Sequence, residues 1–241
     1  MSRISDNLQD VHARIASAAA KVSRDAQQID LLAVSKTFDA AAVLEAVAAG
    51  QRDFGENYVQ EAIDKIEQVR RLQGDIDKSR SNPPTLLSWH FIGPIQSNKT
   101  RPLAEHFDWV HSVDREKIAM RLAEQRPASM PPLNVCIQVN ISGEQSKSGA
   151  APKDVPALAR AIAGLPRLRL RGLMAIPESV ADLQQQRLPF RALYALQASL
   201  QADGMPLDTL SIGMSGDLEA AIFEGATIVR VGSAIFGKRD T

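Results

Sequence analysis

Residues 30–54 read DLLAVSKTFDAAAVLEAVAAGQRDF, and this stretch indicates the architecture of the chain. The run Asp30–Ser35 is short and apolar, as in a buried strand, whereas Ala40–Ala49 has the apolar spacing of a helix. A second short run, Arg52–Phe54, follows. A strand, a helix and another strand in this order pair as parallel neighbours through a right-handed crossover. The stretch therefore predicts an α/β fold built on a parallel sheet.

The same alternation continues along the chain, after a predicted first helix at Ile4–Val22. The further strand candidates are Leu86–Phe91, Trp109–His111, Asn134–Ile141, Arg169–Ala175, Thr209–Ile212 and Thr227–Val231. The helical patterns between them are Asn57–Leu72, Ser97–His106, Arg115–Glu124, Val155–Ala163, Leu188–Ala202 and Gly216–Phe223. Eight strand–helix units fill 241 residues, close to the roughly 250 residues of an α/β barrel. We predict a single (β/α)8 TIM barrel over residues 1–241, with an extra N-terminal helix. A doubly wound open sheet is the alternative.

Two polar segments have different predicted places in this barrel. Gln73–Thr85 precedes a strand and contains Pro83 and Pro84, so we expect a loop at the end of the barrel away from the chemistry. Ser142–Ala150 follows a strand instead, which places it at the rim where barrel active sites form. Lys147 in this loop could relay an incoming aldehyde, and a solvated loop lysine is the alternative.

Composition limits the partners that the protein can have. The 28 Lys and Arg residues balance 28 Asp and Glu residues, so a nucleic acid or a membrane surface is not expected as the main partner. No apolar run approaches the ~18 residues of a membrane span. The single cysteine, Cys136, lies in an apolar strand and reads as a buried core residue. We expect a soluble, cytoplasmic protein.

Lys36 is the first residue that indicates chemistry. Side chains alternate along a strand, so Leu32, Val34 and Lys36 share one face, and Lys36 would end the first strand with its amine in the mouth of the barrel. Apolar walls disfavour the charged form of such an amine, and a neutral amine is what Schiff-base chemistry requires. A lysine that only extends into solvent at a strand end is the alternative.

The turns after the last two predicted strands are rich in glycine and serine. They read TLSIGMSGD at 209–217 and IVRVGSAIFG at 228–237. Small residues let the main chain approach an anion, and loops after strands seven and eight form the usual phosphate site of this fold. Simple helix caps are the alternative. A phosphate site beside a strand-one lysine suits a phosphorylated aldehyde.

Several blocks of the sequence resemble one protein family. The blocks are AVSKT (33–37), FGENYVQE (54–61), WHFIGPIQSNK (89–99), VNI (139–141), SKSG (146–149), RGLMAIP (171–177) and the two C-terminal segments. They occur in order over nearly the whole chain and resemble the pyridoxal phosphate homeostasis proteins. The resemblance implies a barrel like the N-terminal domain of alanine racemase (fold type III of pyridoxal-phosphate proteins), with pyridoxal 5′-phosphate (PLP) as the cofactor.

The resemblance also implies roles for individual residues. Lys36 would carry PLP as a Schiff base, while Ser215, Gly232 and Ser233 would hold its phosphate with help from the main chain of Met214. The remaining implied contacts are Asn57, Met174 and Ser211, which would line the cofactor, and Arg230, which would face the pyridine nitrogen. Strand alternation independently puts Ile228, Arg230 and Gly232 on one face.

Arg230 bears on the reaction that the site can support. A guanidinium beside the pyridine nitrogen keeps that nitrogen unprotonated, which makes the ring a weaker electron sink. Racemisation also needs a second acid or base, which barrel racemases take from a tyrosine in a further domain of a partner subunit. Here the only tyrosines are Tyr58 and Tyr194, and we expect no further domain after the predicted eighth strand. We therefore expect a monomeric, non-catalytic protein of PLP homeostasis, with no catalytic residues and with PLP-dependent apo-enzymes as candidate recipients. A PLP-dependent amino-acid racemase and a cofactor-free Schiff-base aldolase are the alternatives.

The other titratable residues give weaker signals. His90 is expected either to approach the cofactor ring or to fill the top of the barrel. Glu56 and Glu61 are expected to serve the first turns of the following helix. No metal site is predicted, because His12, His106 and His111 do not have metal-ligand spacing.

Overall fold

The fold is described from a computed structural model that covers residues 3–80, 86–143 and 148–237. Eight parallel strands form a closed barrel in chain order. The strands are β1 (Asp30–Val34), β2 (Asp53–Glu56), β3 (Ser88–Phe91), β4 (Trp109–Val113), β5 (Leu133–Gln138), β6 (Leu168–Met174), β7 (Thr209–Ser211) and β8 (Ile228–Val231). The helices are α1 (Arg3–Lys21), α2 (Ala40–Ala48), α3 (Val59–Arg80), α4 (Thr100–His106), α5 (Glu116–Gln125), α6 (Val155–Ala163), α7 (Leu183–Ala202), α8 (Leu218–Phe223) and α9 (Ser233–Phe236).

The barrel closes where β1 pairs with β8, with Leu32 opposite Arg230 and Ala33 opposite Val231. Because all strands are parallel, their carboxyl ends meet at one rim. The residues that follow β1, β7 and β8 therefore become neighbours, although they come from opposite ends of the chain.

Apolar side chains form two separate layers. The larger layer lies between the helices and the outer face of the barrel and includes Phe54, Trp89 and Phe190. A smaller cluster of Leu32, Val34, Ile92 and Ile228 is separate from it. Leu32 and Val34 thus share a face with each other and not with Leu31 and Ala33, as strand alternation predicts.

The helix that precedes the barrel is part of the fold. One face of α1 is buried against the larger layer, and its buried residues are Ile4, Leu8, Val11, Ile15, Ala18 and Ala19. The helix packs on α2, α8 and α9. In this way α1 covers the helices that frame the turns after β7 and β8.

The predicted (β/α)8 barrel with its N-terminal helix is confirmed. Most predicted elements differ by a few residues from the observed ones, and one prediction was wrong. Gln73–Thr85 was predicted to be a loop, but α3 continues through Arg80, and residues 81–85 lie outside the described ranges. No proline interrupts the polar segment before Pro83, so the helix can continue through it. Gln73 is buried on the inner face of α3, and the exposed polar residues of the segment belong to the solvent-facing side of an amphipathic helix. The helix α7 also begins earlier than predicted, at Leu183 rather than Leu188. Asp182 precedes this start and accepts a hydrogen bond from Gln185 N.

Within the described ranges, no helix combines the length and apolar character needed to cross a bilayer. Cys136 is fully buried in β5, as predicted, and burial raises the pKa of its thiol to about 12. The thiol therefore stays protonated at neutral pH, which is unfavourable for a nucleophile.

We expect Ile15→Ala to lower the free energy of unfolding by about 2–5 kcal/mol, because it leaves a cavity in the buried face of α1. Urea unfolding measures the change. Leu188→Ala is the matched control: the Leu188 side chain is more than half exposed, and its truncation should change stability by about 0.5 kcal/mol or less. Equal losses in the two variants would contradict the packing of α1 described above.

Candidate functional site

A cavity of about 530 Å³ opens at the rim where the strands end. Its walls come from residues that follow six of the strands, and from Val34 and Arg230 within β1 and β8. The lining residues are Val34, Lys36, Phe38, Asn57, Ile92, Ile176, Met214, Ser215, Gly216, Arg230, Gly232, Ser233 and Gly237. This is the end of a barrel at which active sites form.

Most of the residues that the sequence singled out come together in this cavity. Those in the lining are Lys36, Asn57, Met214, Ser215, Arg230, Gly232 and Ser233. The described lining does not include Met174 or Ser211, which are fully buried opposite each other on β6 and β7. Ser211 reaches the site indirectly, through a hydrogen bond from Arg230. Lys147 lies outside the described residues.

The turn after β1 presents Lys36 to the cavity. Ser35 O accepts a hydrogen bond from Phe38 N at 3.0 Å, and Thr37 has φ of +69°. A positive φ at the third position of such a turn favours glycine, and a β-branched residue adopts it only under constraint. On the far side of the turn, the Phe38 ring stacks on Phe236 with 5.1 Å between ring centroids. The turn is therefore held on both sides of Lys36.

The turns after β7 and β8 lie next to each other in the cavity wall. Gly213 has φ of +91°, and a Cβ at this position would lie 2.6 Å from Ala221 Cβ, so only glycine fits. The Ser215 and Ser233 hydroxyl oxygens are 3.5 Å apart. Both hydroxyls and the nearby main chain can therefore donate to one anion between the two turns.

The N-terminal helix braces the same two turns. Arg14 donates to Ser215 O at 3.2 Å and forms an ion pair with Glu219 at 3.0 Å. Asn7 donates from Nδ2 to Ile235 O at 2.7 Å. These contacts give α1 a role in positioning the candidate phosphate site.

Arg230 carries a buried positive charge at the floor of the site. It donates from Nη1 to Ser211 O and to Ser211 Oγ, the latter at 2.8 Å, and from Nη2 to Ala175 O at 3.0 Å. Burial lowers the pKa of Arg230 to about 10, against the opposing influence of Asp217. The guanidinium is therefore still charged at neutral pH.

A chain of hydrogen bonds runs from Arg230 through the inside of the barrel. His111 Nδ1 lies 2.7 Å from Ser211 Oγ, and His111 Nε2 lies 2.9 Å from His90 Nδ1. His90 Nε2 then lies 2.8 Å from Ser88 Oγ and 3.4 Å from Asp53 Oδ1. Sequence reasoning missed this chain, because His111 was considered only as a metal ligand.

Arg230 can only donate, so Ser211 Oγ accepts the hydrogen bond that joins them, and the Ser211 hydroxyl keeps one hydrogen of its own to donate. Directed to His111 Nδ1, that hydrogen would leave His111 to donate from Nε2 to His90 Nδ1. Burial, with smaller contributions from His90 and Arg230, lowers the pKa of His111 well below 6.5, in agreement with a neutral ring.

Two predictions about titratable residues were wrong. His90 was expected at the top of the barrel, but its ring stacks on Trp109 and bonds to Ser88, and both of these residues begin their strands. Glu56 and Glu61 were expected to serve the first turn of α3. Glu61 does lie in that turn, and it also accepts a hydrogen bond from Thr37 N. Glu56 instead ends β2 and accepts a hydrogen bond from Ser35 Oγ.

The residues of the cavity fit the cofactor that the sequence resemblance implied. The Asn57 Oδ1 atom is buried and has no hydrogen-bond partner among the described residues, so a ligand group can pair with it. The cavity also offers an amine at Lys36, a guanidinium at Arg230 and hydroxyl donors at Ser215 and Ser233. In the part of the chain that the structure describes, no three His, Cys, Asp or Glu side chains are placed to hold a metal ion.

The comparisons with known proteins agree with the fold and the site. Residues 7–240 match the family described as alanine racemase, N-terminal domain, which gives the class of the barrel. The chain is 60% identical to the pyridoxal phosphate homeostasis protein of Pseudomonas aeruginosa over 240 residues, covering 100% of this chain and 97% of that protein. The corresponding protein of Escherichia coli K12 is 52% identical over 240 residues, covering 100% of this chain and 98% of the relative. The chain therefore belongs to the family of pyridoxal phosphate homeostasis proteins.

A solved structure supports the same assignment. PipY of Synechococcus elongatus PCC7942, solved with PLP bound, is 38% identical and has a TM-score of 0.76. The alignment covers 92% of this chain and 100% of PipY. The family resemblance predicted from the quoted blocks is thus confirmed.

We expect the neutral state of His111 to make folding sensitive to acid. Below the ordinary pKa of 6.5, the unfolded chain binds a proton at residue 111 that the folded protein does not bind. The free energy of unfolding should therefore fall with acidification, by up to about 1.4 kcal/mol per pH unit more than in His111→Asn. Urea unfolding between about pH 5 and pH 7 measures this slope.

His12→Asn is the control for this prediction, because His12 is exposed on α1 and should leave the slope of the parent protein unchanged. A slope in His111→Asn that equals the slope of the parent would show that His111 gains a proton on acidification as easily in the folded state as in the unfolded state.

Proposed function

We propose that the protein binds PLP as a Schiff base on Lys36 and acts in intracellular PLP homeostasis without turning over a substrate. The observation that carries the proposal is one cavity that combines a half-buried lysine, a charged arginine and two turns suited to an anion. The names of the relatives and the PLP bound to PipY support the choice of cofactor.

Each part of the cavity has a distinct role in this proposal. The Lys36 amine adds to the aldehyde carbon, and loss of one water leaves the carbon–nitrogen double bond that joins protein and cofactor. Ser215, Ser233 and the main chain at Gly232 bind the phosphate group. Arg230 faces the pyridine nitrogen, and Asn57 pairs with a polar substituent of the ring. Met174 and Ser211 support this floor from inside the barrel.

The arrangement of charge argues for a carrier rather than a racemase. With Arg230 still charged at neutral pH, the pyridine nitrogen beside it stays unprotonated, which weakens the ring as an electron sink. Racemisation also needs an acid or base on the second face of the substrate. Among the described lining residues, the only titratable side chains are Lys36 and Arg230. Tyr58 and Tyr194 are each about half exposed and do not belong to that lining.

We also propose that the protein works as a cytoplasmic monomer that supplies PLP to apo-enzymes. The cavity opens at the rim beside Ile176 and Met214, which are both exposed. A cofactor held here can be reached from solvent, which suits release to another protein. Light scattering of the PLP-loaded protein, alone and with an apo-enzyme, tests the monomer and the contact with a recipient.

We expect the purified protein to gain a visible absorption band when PLP is added, and borohydride to fix the cofactor on Lys36. Lys36→Ala should lose the band and the trapped adduct, because no other residue in the described lining carries an amine. Lys117→Ala, on the outer face of the barrel in α5, is the matched control and should behave as the parent. Absorption spectra and peptide mass spectrometry measure both results.

Two outcomes would contradict the proposal. A protein that stays colourless with added PLP and instead cleaves a phosphorylated sugar would favour the aldolase alternative. Conversion between D- and L-amino acids at enzyme-like rates, abolished by Lys36→Ala, would establish a racemase.

A further inference from the structure

A second lysine lies buried directly beneath the turn that carries Lys36. The Lys65 ammonium donates to Ser35 O at 2.8 Å, to Glu56 Oε1 at 2.8 Å and to Glu61 Oε1 at 3.1 Å. Lys65 is 5% exposed and Glu56 is fully buried. We refer to Glu56, Glu61 and Lys65 as the Lys65 cluster.

The Lys65 cluster holds both chain neighbours of Lys36. On one side, Ser35 donates from Oγ to Glu56 Oε1 at 2.7 Å, while its carbonyl accepts from Lys65. On the other side, Thr37 N donates to Glu61 Oε1 at 2.7 Å. These contacts fix the main chain immediately before and after Lys36, and they constrain Thr37 in its positive-φ conformation.

Stability alone does not explain a buried ion pair at this position. Replacing such a pair by apolar side chains is often neutral or stabilising, because two charges lose their hydration. Burial raises the pKa of Glu56, and the attraction of Lys65 opposes that rise only in part. Glu56 Oε2 is also buried without a hydrogen-bond partner among the described residues. The cluster instead fixes the main-chain conformation around Lys36, because its hydrogen bonds converge on Ser35 and Thr37.

We propose that Lys65, together with Glu56 and Glu61, positions the turn Ser35–Phe38 so that the Lys36 amine enters the cavity in the orientation needed to attack an aldehyde. This inference rests on the proposed function of Lys36. Lys65 is a positioning residue here, since its ammonium is occupied by Ser35 O and the two carboxylates and it does not line the cavity among the described residues.

The main test compares Lys65→Met/Glu56→Gln with the parent protein in the full-length chain. The double change removes both charges of the buried pair together, which avoids leaving either charge uncompensated. The rate at which added PLP gives a borohydride-trapped adduct on Lys36 is the first readout. Because small misplacements of a reacting group cost up to about 100-fold in rate, we expect capture to be about 10- to 100-fold slower.

A PLP analogue with a methyl group in place of the aldehyde gives the second readout. This analogue uses the phosphate turns, Asn57 and Arg230 but cannot react with Lys36. We expect its affinity to change by less than about twofold, since the Lys65 cluster contacts the Lys36 turn and not the phosphate turns. An affinity for the analogue that falls as far as the capture rate would overturn the proposal, because the whole cavity would then be disturbed.

Arg126→Met is the control for lost stability. Arg126 is also buried, but it donates to the carbonyl groups of Ala104, Phe107 and Pro131, away from the Lys36 turn. We expect this variant to unfold more easily and yet to capture PLP at the parental rate. Slower capture in proportion to lost stability, in both variants, would reduce the Lys65 cluster to a structural role and overturn the proposal.

A pair of single variants decides the matter if the double variant does not fold. Glu61→Ala removes the acceptor of Thr37 N, whereas Glu61→Gln keeps an oxygen acceptor in the same place. We expect slower capture in Glu61→Ala, recovery in Glu61→Gln, and no change in Glu67→Ala, an exposed position on the same helix. Equal rates in Glu61→Ala and the parent would overturn the proposal.

Hydrogen exchange separates this inference from the proposed function. In the protein without cofactor, the Thr37 amide should exchange faster in Glu61→Ala than in the parent, because it loses its hydrogen bond. If the parent protein itself forms no adduct on Lys36, the proposed function fails, and the exchange rate of Thr37 still decides whether the cluster holds the turn. An unchanged exchange rate at Thr37 would contradict the inference.

Discussion

Main-chain hydrogen bonds between β1 and β8 close the sheet into a barrel, with Leu32 opposite Arg230. This pairing brings the turn that carries Lys36 beside the turn that contains Gly232 and Ser233. A Cβ at Gly232 would lie 3.1 Å from Val34 O, so a larger residue would press on β1 at this point. The cavity, its lysine and its candidate phosphate site all depend on this closure. An open sheet would separate the first strand from the last and leave the lysine without an anion site beside it.

The fold also buries polar groups, some inside the barrel and some between the barrel and α3, and it satisfies them in two different ways. Below Arg230, hydrogen bonds link Ser211, His111 and His90 in sequence and reach the strand beginnings at Ser88. Beneath the Lys36 turn, the charges of Lys65 and Glu56 pair with one another and with Ser35. The first network holds the charged group at the floor of the cavity, and the second holds the main chain at its rim.

The parts of the site that the sequence predicted are those with a local signal. Lys36 follows a strand whose side chains alternate, and Arg230 and Gly232 share a face by the same rule. The serine and glycine turns after β7 and β8 are also recognisable within a few residues. The barrel itself follows from repeated strand–helix units, and a full-length family resemblance agrees with it.

The parts that were missed depend on contacts between distant segments. His111 meets Ser211 only because β4 and β7 face each other inside the barrel, and an isolated histidine carries no sign of that partner. Glu61 and Lys65 are four residues apart on α3, which predicts an ordinary helix pair, but their hydrogen bonds to the turn after β1 are not local. The polar stretch after Leu72 was mistaken for a loop because a helix with one wet face is also polar.

The account depends on PLP attachment at Lys36 between the two turns, and a crystal structure of the protein grown with PLP examines this directly. We expect continuous density from Lys36 Nζ to the cofactor, the phosphate within hydrogen-bond distance of Ser215 and Ser233, and the pyridine nitrogen beside Arg230. PLP joined to a different lysine, or bound with its phosphate away from both turns, would contradict the account.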